Sequence, residues 1–354
     1  MKNIRQKRAR AAGFTLIELM VSVAIFIVVG GAAISLFQKH APLFTQQQSL
    51  TGLNITMRNA MSQMQMDIVN AGSGYYPGTN FPDWPIGITI SNSSPSSSCY
   101  NSTTNTYTST CFDTLNIIAM DPATPPSHPA GNATGSTCAN SASSPMFLIP
   151  TVPTTANATA LAANFKTGDE LLLINQDGSQ LTTIVLTGAG TVSGTAVQLS
   201  FTPTTSAGVN SSDPMLIASS NVSGKLGTSF CNTDWGMRLS PVTYSVDATD
   251  PTNPKLTRKQ GSSTDVIAEQ VIGFKVGATI LNSATYASTD YYYYDTSLYS
   301  SNFSLIRSVQ LSLIGRTPPN QAGPSKFANN FDNGNYQIQS ISLTVNPRNL
   351  SMRD

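Results

Sequence analysis

The stretch Leu19–Phe37, LMVSVAIFIVVGGAAISLF, contains no charged side chain. As a helix rising about 1.5 Å per residue it is long enough to cross one bilayer. A helix that is apolar all round has no face to offer water, so the rest of the chain must fold while attached to a segment that leaves water. Lys2, Arg5, Lys7, Arg8 and Arg10 precede the run and no base lies within it. That asymmetry predicts a cytoplasmic N-terminus and an exported body. An ordinary secretory signal has a shorter apolar run followed by a small-x-small cleavage site. Here the run passes directly into more helix-forming sequence, so the segment is expected to be retained in the lipid bilayer.

The chain has 354 residues, ample for a large core, and only 10% of them are charged. Lys and Arg total 19 against 18 acids, which gives no whole-chain bias toward nucleic acid, and no nucleic-acid partner is expected. Setting the five leading bases aside leaves 14 against 18 acids. A short basic head on a mildly acidic body is a targeting pattern.

One ionisable residue interrupts the apolar N-terminus. Glu18 sits in Phe14-Thr15-Leu16-Ile17-Glu18-Leu19, at the cytoplasmic end of the span, where a carboxylate is costly and needs a partner or a route to water. Residues 8–20 read RARAAGFTLIELM. This resembles the type III signal of type IV prepilins: a basic leader ending in Gly, then Phe-Thr-Leu-Ile-Glu. The resemblance implies cleavage after Gly13 by prepilin peptidase and N-methylation of Phe14. It also implies a role for Glu18 in subunit assembly, paired with the amino terminus of a neighbouring subunit. The implied partners are other major and minor pilins or pseudopilins and an inner-membrane assembly platform. The implied location is a single-pass inner-membrane protein with a periplasmic head, then a filament. The implied division is a leader over 1–13, an N-terminal helix over 14–72 with its span at about 14–37, and a head over 73–354.

Beyond the span, Pro42 predicts a kink or local break. Leu50, Leu53, Met57, Ala60, Met61, Met64 and Ile68 then recur at spacings of three and four, which predicts a one-sided apolar stripe packed on the head. Asn70-Ala71-Gly72-Ser73-Gly74 is a helix stop. The pattern Arg-Asn-Ala-Met…Gln-Met-x-Asp…Ala-Gly within residues 49–77 is similar to PilW-class minor pilins and to the J-type minor pseudopilins of type II secretion.

From residue 73 on, helical periodicity gives way to short β-prone runs: 86–90, 114–120, 146–149, 170–174, 181–187, 196–201, 214–218, 242–246, 266–276, 305–314 and 337–345. Their spacing predicts an antiparallel sheet or sandwich, and with the N-terminal helix an α+β fold. Residues 91–110 and 121–145 are nearly all Ser, Thr, Asn, Pro and Ala and are expected to be loops. Tyr291–Tyr294 fits either a sticky patch or a strand. Residues 165–187, with the hairpin dipeptide Asp177-Gly178, and the C-terminal segments VTYSVD, PKLTRKQ, VIAEQVIGFKV, LIRSVQLSLIGRT and ISLTVNPRNL, ending at Arg348-Asn349, extend the PilW resemblance. Cys99, Cys111, Cys138 and Cys231 form no CxxC pair. An even count in an exported chain points to disulfides, with Cys99–Cys111 favoured first and Cys138–Cys231 second.

No converging catalytic set is legible, so the chain is read as a non-enzyme without cofactor or metal. His128 lies in a Pro-rich stretch and is expected to face solvent. Asp169, Glu170 and Asp177 are oxygen donors, but their spacing fits no EF-hand loop, and turn roles are expected. Three functions remain open: a minor pilin that primes a pilus or sits at its tip, a type II secretion minor pseudopilin, and a membrane-tethered adhesion or binding module.

Overall fold

A computed structural model describes residues 15–72, 87–93, 99–101, 103–104, 106–140, 143–176, 181–202, 229–261, 263–281, 287–291, 306–318 and 329–348. Helix α1 spans Leu16–Val69 in 54 residues. The strands are β1 (Ile88–Ser91), β2 (Tyr100–Asn101), β3 (Thr106–Tyr107), β4 (Thr114–Met120), β5 (Ser127–Ala130), β6 (Ala139–Asn140) and β7 (Met146–Pro150), followed by the short helix α2 (Thr155–Ala162). Then come β8 (Glu170–Ile174), β9 (Leu181–Val185), β10 (Thr191–Ser193), β11 (Ala196–Leu199), β12 (Ser229–Phe230), β13 (Trp235–Asp247), β14 (Lys255–Gln260), β15 (Ser263–Glu269), β16 (Val271–Leu281), β17 (Ser288–Tyr291), β18 (Ile306–Arg316) and β19 (Ile338–Val345). The fold is α+β, a long N-terminal helix followed by antiparallel sheets. By contact density the chain forms two compact units, residues 1–52 and 53–354.

In the first unit the helix exposes apolar side chains all round: Ile17, Phe26, Ile27, Val28 and Phe37 each keep well over half of their surface. The stretch Leu16–Ala41 is long and apolar enough to span a membrane, about 39 Å at 1.5 Å per residue. The expected break at Pro42 is absent: α1 runs through it as one helix. Proline removes one N–H from the ladder, and the flanking turns carry on without that rung.

The second unit begins at Leu53 and takes in all of the expected stripe except Leu50, which is only half-buried. Leu53, Met57, Ala60, Met61, Met64 and Ile68 are all buried, with Met64 and Ile68 at 0% exposure. Each large side chain so buried contributes about 1.5–3 kcal/mol. They share one core with Phe274 and Val276 of β16, Leu311 and Leu313 of β18, and Leu115 and Tyr244 of β4 and β13. Contact is close because β18 offers a glycine: a Cβ on Gly315 would lie 2.8 Å from both Leu53 Cδ1 and Met57 Sδ. The helix ends at the predicted stop, with Gly72 left-handed at φ 68° and its N–H donated to Ile118 O at 2.8 Å.

The larger sheet has 11 strands in the order β1-β4-β13-β5-β7-β11-β10, with β14, β15, β8 and β9 branching from it. β13, 13 residues long, is its spine. Its first half pairs with β8 through Trp235–Leu239. Its second half pairs with β4 through Leu239–Tyr244 and with β14 through Val242–Asp247. The smaller sheet runs β17-β16-β18-β19. A second core, away from α1, joins Leu161 of α2, Leu148 of β7, Leu171 and Leu173 of β8 and Val197 and Leu199 of β11 around Phe165 and Phe230.

Several local expectations change. The single run 266–276 is two strands, β15 and β16, divided at Gln270, whose φ is 57°. The stretch 121–145, read as loop, contains β5 and β6. β5 (Ser-His-Pro-Ala) has no β-branched residue, and it is held as a strand by pairing with β7 and a single contact with β13. Helix α2 is Ala-rich and opens with a Thr154 cap that accepts the Asn157 N–H at 3.2 Å. Residues 177–178, 214–218 and 292–294 lie outside the described residues.

Candidate functional site

The start of α1 is built from Thr15 and Glu18. The Thr15 N–H and Oγ1–H both donate to Glu18 Oε2 at 2.9 Å. The Glu18 N–H donates back to Thr15 Oγ1 at 3.3 Å. This is a reciprocal capping box: two orphan donors of the first turn are satisfied, and a carboxylate sits at the positive end of the helix dipole. The signal Thr-x-x-Glu stands in the sequence at residues 15–18, where Glu18 was expected to need a partner or a route to water and not to cap its own helix. Inside the span Ser22 turns its hydroxyl back to Leu19 O at 2.9 Å, so this polar group costs the apolar surface little. Gly13 and Phe14 lie outside the described residues.

At the other end of the helix, Asp67 is held between two strands. Tyr244 of β13 donates its hydroxyl to Asp67 Oδ2, and Arg258 Nε of β14 reaches the same oxygen at 2.8 Å. Burial, then the Asp67 carboxylate, pushes the Tyr244 phenol well above its ordinary range. This cluster fixes the last turn of α1 to the larger sheet and adds direction to the apolar stripe. The backbone of Arg348 adds a further tie, its N–H donating to Val69 O at 3.2 Å. Asn349 lies outside the described residues.

The cysteines are joined Cys99–Cys111 and Cys138–Cys231. The first bridge closes the β2–β3 hairpin, which grips a buried carboxylate. Tyr107 donates to Asp332 Oδ2 at 2.6 Å, Tyr336 donates to the same oxygen, and Tyr100 donates to Asp332 O at 2.7 Å. Burial raises the Asp332 carboxyl, but the two phenols, Asn329 and the Gly334 amide outweigh it and hold the group below its ordinary value. Burial and Asp332 together push Tyr336 up to about 12.

The acids considered as cation ligands have structural work. Asp169 accepts the Lys166 N–H at 2.7 Å, as expected of a turn. It also accepts Arg238 Nε and NH2 at 2.9 and 3.0 Å. Arg238 reaches Asp121 as well, tying the ends of β4 and β13 to the turn before β8. Glu170 is buried. Among the described residues no three His, Cys, Asp or Glu side chains gather as a metal site. His128 is half-buried rather than fully exposed, because β5 carries it against Trp235, with ring centroids 4.4 Å apart.

Residues 8–34 match the prokaryotic N-terminal methylation motif. A comparison with curated proteins found no match. Among solved structures, a type IV-like pilin from Thermus thermophilus aligns at 12% identity over 55% of this chain and 95% of its own, with a TM-score of 0.19. That overlap is too low to support a shared head fold. The motif does not depend on it, since it includes Arg8 to Gly13, Glu18 and most of the uncharged span. Through that N-terminal segment the chain carries the motif of proteins that are methylated at a processed N-terminus.

Proposed function

We propose that the protein is a minor type IV pilin of the PilW class, cleaved after Gly13 by prepilin peptidase and built into a pilus as part of its priming or tip complex. One observation carries this reading: Gly13, Phe14, Glu18 and an uncharged helix stand in a single register within the matched motif. Before assembly the first forty residues anchor the chain in the inner membrane, and the head lies in the periplasm. The capping box gives Glu18 a partner on its own chain while the subunit is alone in lipid. Cleavage then creates an α-amine at Phe14. A neighbouring subunit's amine is the cation that Glu18, already turned toward the helix start, is placed to accept. A head with two hydrophobic cores suits a minor subunit better than a bulk repeat. The pattern in residues 49–77 also supports a type II secretion pseudopilin, and the filament that captures the protein separates the two.

Co-expression of Gly13→Ala with prepilin peptidase tests the reading. The variant is expected to keep its full mass while the native chain loses residues 1–13, and complete cleavage of the variant refutes it. Glu18→Leu is expected to insert and be cleaved but to be missing from sheared filaments. Normal incorporation of that variant would remove the assembly role while leaving the processing role intact.

A further inference from the structure

The second core carries a cleft that neither membrane anchoring nor helix docking uses. It has a volume of about 340 Å³ and is formed by loops at one end of β5, β7 and β11, with His128, Thr134, Ile149, Thr151, Thr195 and Asn232 among its walls. None of its lining residues is an acid, lysine or arginine. The chemistry is hydroxyl, amide and imidazole set beside aliphatic surface. Asn232 is exposed, and among the described residues the side chains of Asn232 and Thr195 hold no hydrogen bond. Thr151 spends its proton on Pro126 O at 3.4 Å and keeps its oxygen lone pairs.

His128 is set in one orientation. Its Nδ1 lies 3.0 Å from Asp234 O, and a carbonyl can only accept, so Nδ1 carries the proton. In the neutral ring Nε2 is then left as an acceptor. The same ring packs on Trp235, a residue 37% exposed to solvent. Two fixtures hold these groups in place. The Cys138–Cys231 bridge joins the loop before β6 to the turn carrying Asn232. The buried Asp234 carboxylate accepts the N–H groups of Cys231 at 2.7 Å and Gln176 at 2.9 Å.

We propose that this cleft is a binding subsite for a neutral carbohydrate. A sugar ring presents hydroxyls at its edge and C–H groups on its faces. The uncharged donors and acceptors of Asn232, Thr195 and His128 match the first, and Ile149 with the neighbouring Trp235 matches the second. A charged ligand would enter a site whose walls hold no carboxylate, ammonium or guanidinium, which disfavours a phosphate, a nucleic acid or an acidic peptide. The subsite lies in the head and does not depend on which filament takes up the chain.

The test uses the full chain in a zwitterionic detergent, because maltoside detergents carry a sugar of their own. Cellopentaose, maltopentaose and mannopentaose are titrated separately, with binding read by saturation-transfer NMR and Trp fluorescence. At least one is expected to bind saturably, and Asn232→Ala and Thr195→Val are each expected to weaken it by about tenfold, the worth of one lost hydrogen bond. Both side chains are free of hydrogen bonds, so thermal midpoints should stay at the native value, and this separates loss of binding from loss of fold. Failure of all three sugars to bind, or native affinity in both variants, overturns the proposal.

Discussion

The two halves of α1 share one secondary structure and opposite solvents. Ile27 is 65% exposed and Met64 is 0% exposed on the same helix. Around Ile27 every face is apolar and none is covered by the chain itself. Around Met64 only one face is apolar, and the head covers it. Hydrogen bonding along the helix is therefore not what distinguishes the halves. The distinction is what supplies the apolar surroundings, something outside the chain in one case and the protein's own sheets in the other.

That contrast can be broken with a single charge. Met64→Asp combines the lost contacts with an unpaired buried carboxylate, at a cost of at least about 5 kcal/mol, and the head is expected to lose its cooperative unfolding transition. Ile27→Asp should leave that transition unchanged and instead lower membrane insertion, at about 2.5–3.5 kcal/mol on insertion scales. Equal damage to the head from both variants would mean that the halves are not independent. Replacing Cys138 and Cys231 by serine opens a loop of 93 residues and should lower head stability by roughly 4–5 kcal/mol on the chain-entropy account. Opening the 12-residue loop of Cys99–Cys111 should cost only about 3 kcal/mol. Denaturant midpoints measured with the span inserted in detergent check both values, and neither change should alter insertion. Met57→Ala leaves a gap opposite Gly315 and should cost about 2–5 kcal/mol in the same assay.

The smallest effect is with pH, and it belongs to the head alone. Tyr336 is raised to about 12, so the unfolded chain loses that proton first as pH climbs past 10. The stability it contributes is complete below pH 10 and falls as pH rises toward about 12. Tyr107 is shifted in the same direction and adds to the slope. Asp332 is depressed, so its contribution is present above the ordinary carboxylate value of 3.8 and is lost as pH falls below it. Chemical denaturation across pH 9–12 should show the alkaline decline, with a shallower slope in Tyr336→Phe.

Much of this was legible before the structure. The bounds Thr114–Met120 and Glu170–Ile174 were read to the residue, because β-branched and leucine runs there are bounded by clear turns. The stripe Leu50–Ile68, buried from Leu53 on, and the stop at Gly72 followed from spacing and composition. What escaped was structure held from outside. β5 has little strand propensity and exists because β7 and β13 pair with it. The second core is not visible in any one segment, since its residues come from α2, β7, β8 and β11 together. The division at Gln270 needs a left-handed residue that the run Val266–Val276 gives no reason to expect. Around Glu18 the opposite holds: the capping box is local, made by Thr15 and Glu18 three residues apart, and needs nothing from outside.

β13 runs from the edge of one hydrophobic core into the other, with Gly236 facing Leu148 and Leu173 and Tyr244 buried beside the stripe of α1. A strand shared in this way acts as a coupling rod. Melting either core strips one half of β13 of its pairing and leaves the other half with a frayed end, so neither core can open without taxing its neighbour. A head with two separate cores is thereby expected to yield as one body under heat or under load, a single step in calorimetry and a single rip in a pulling experiment.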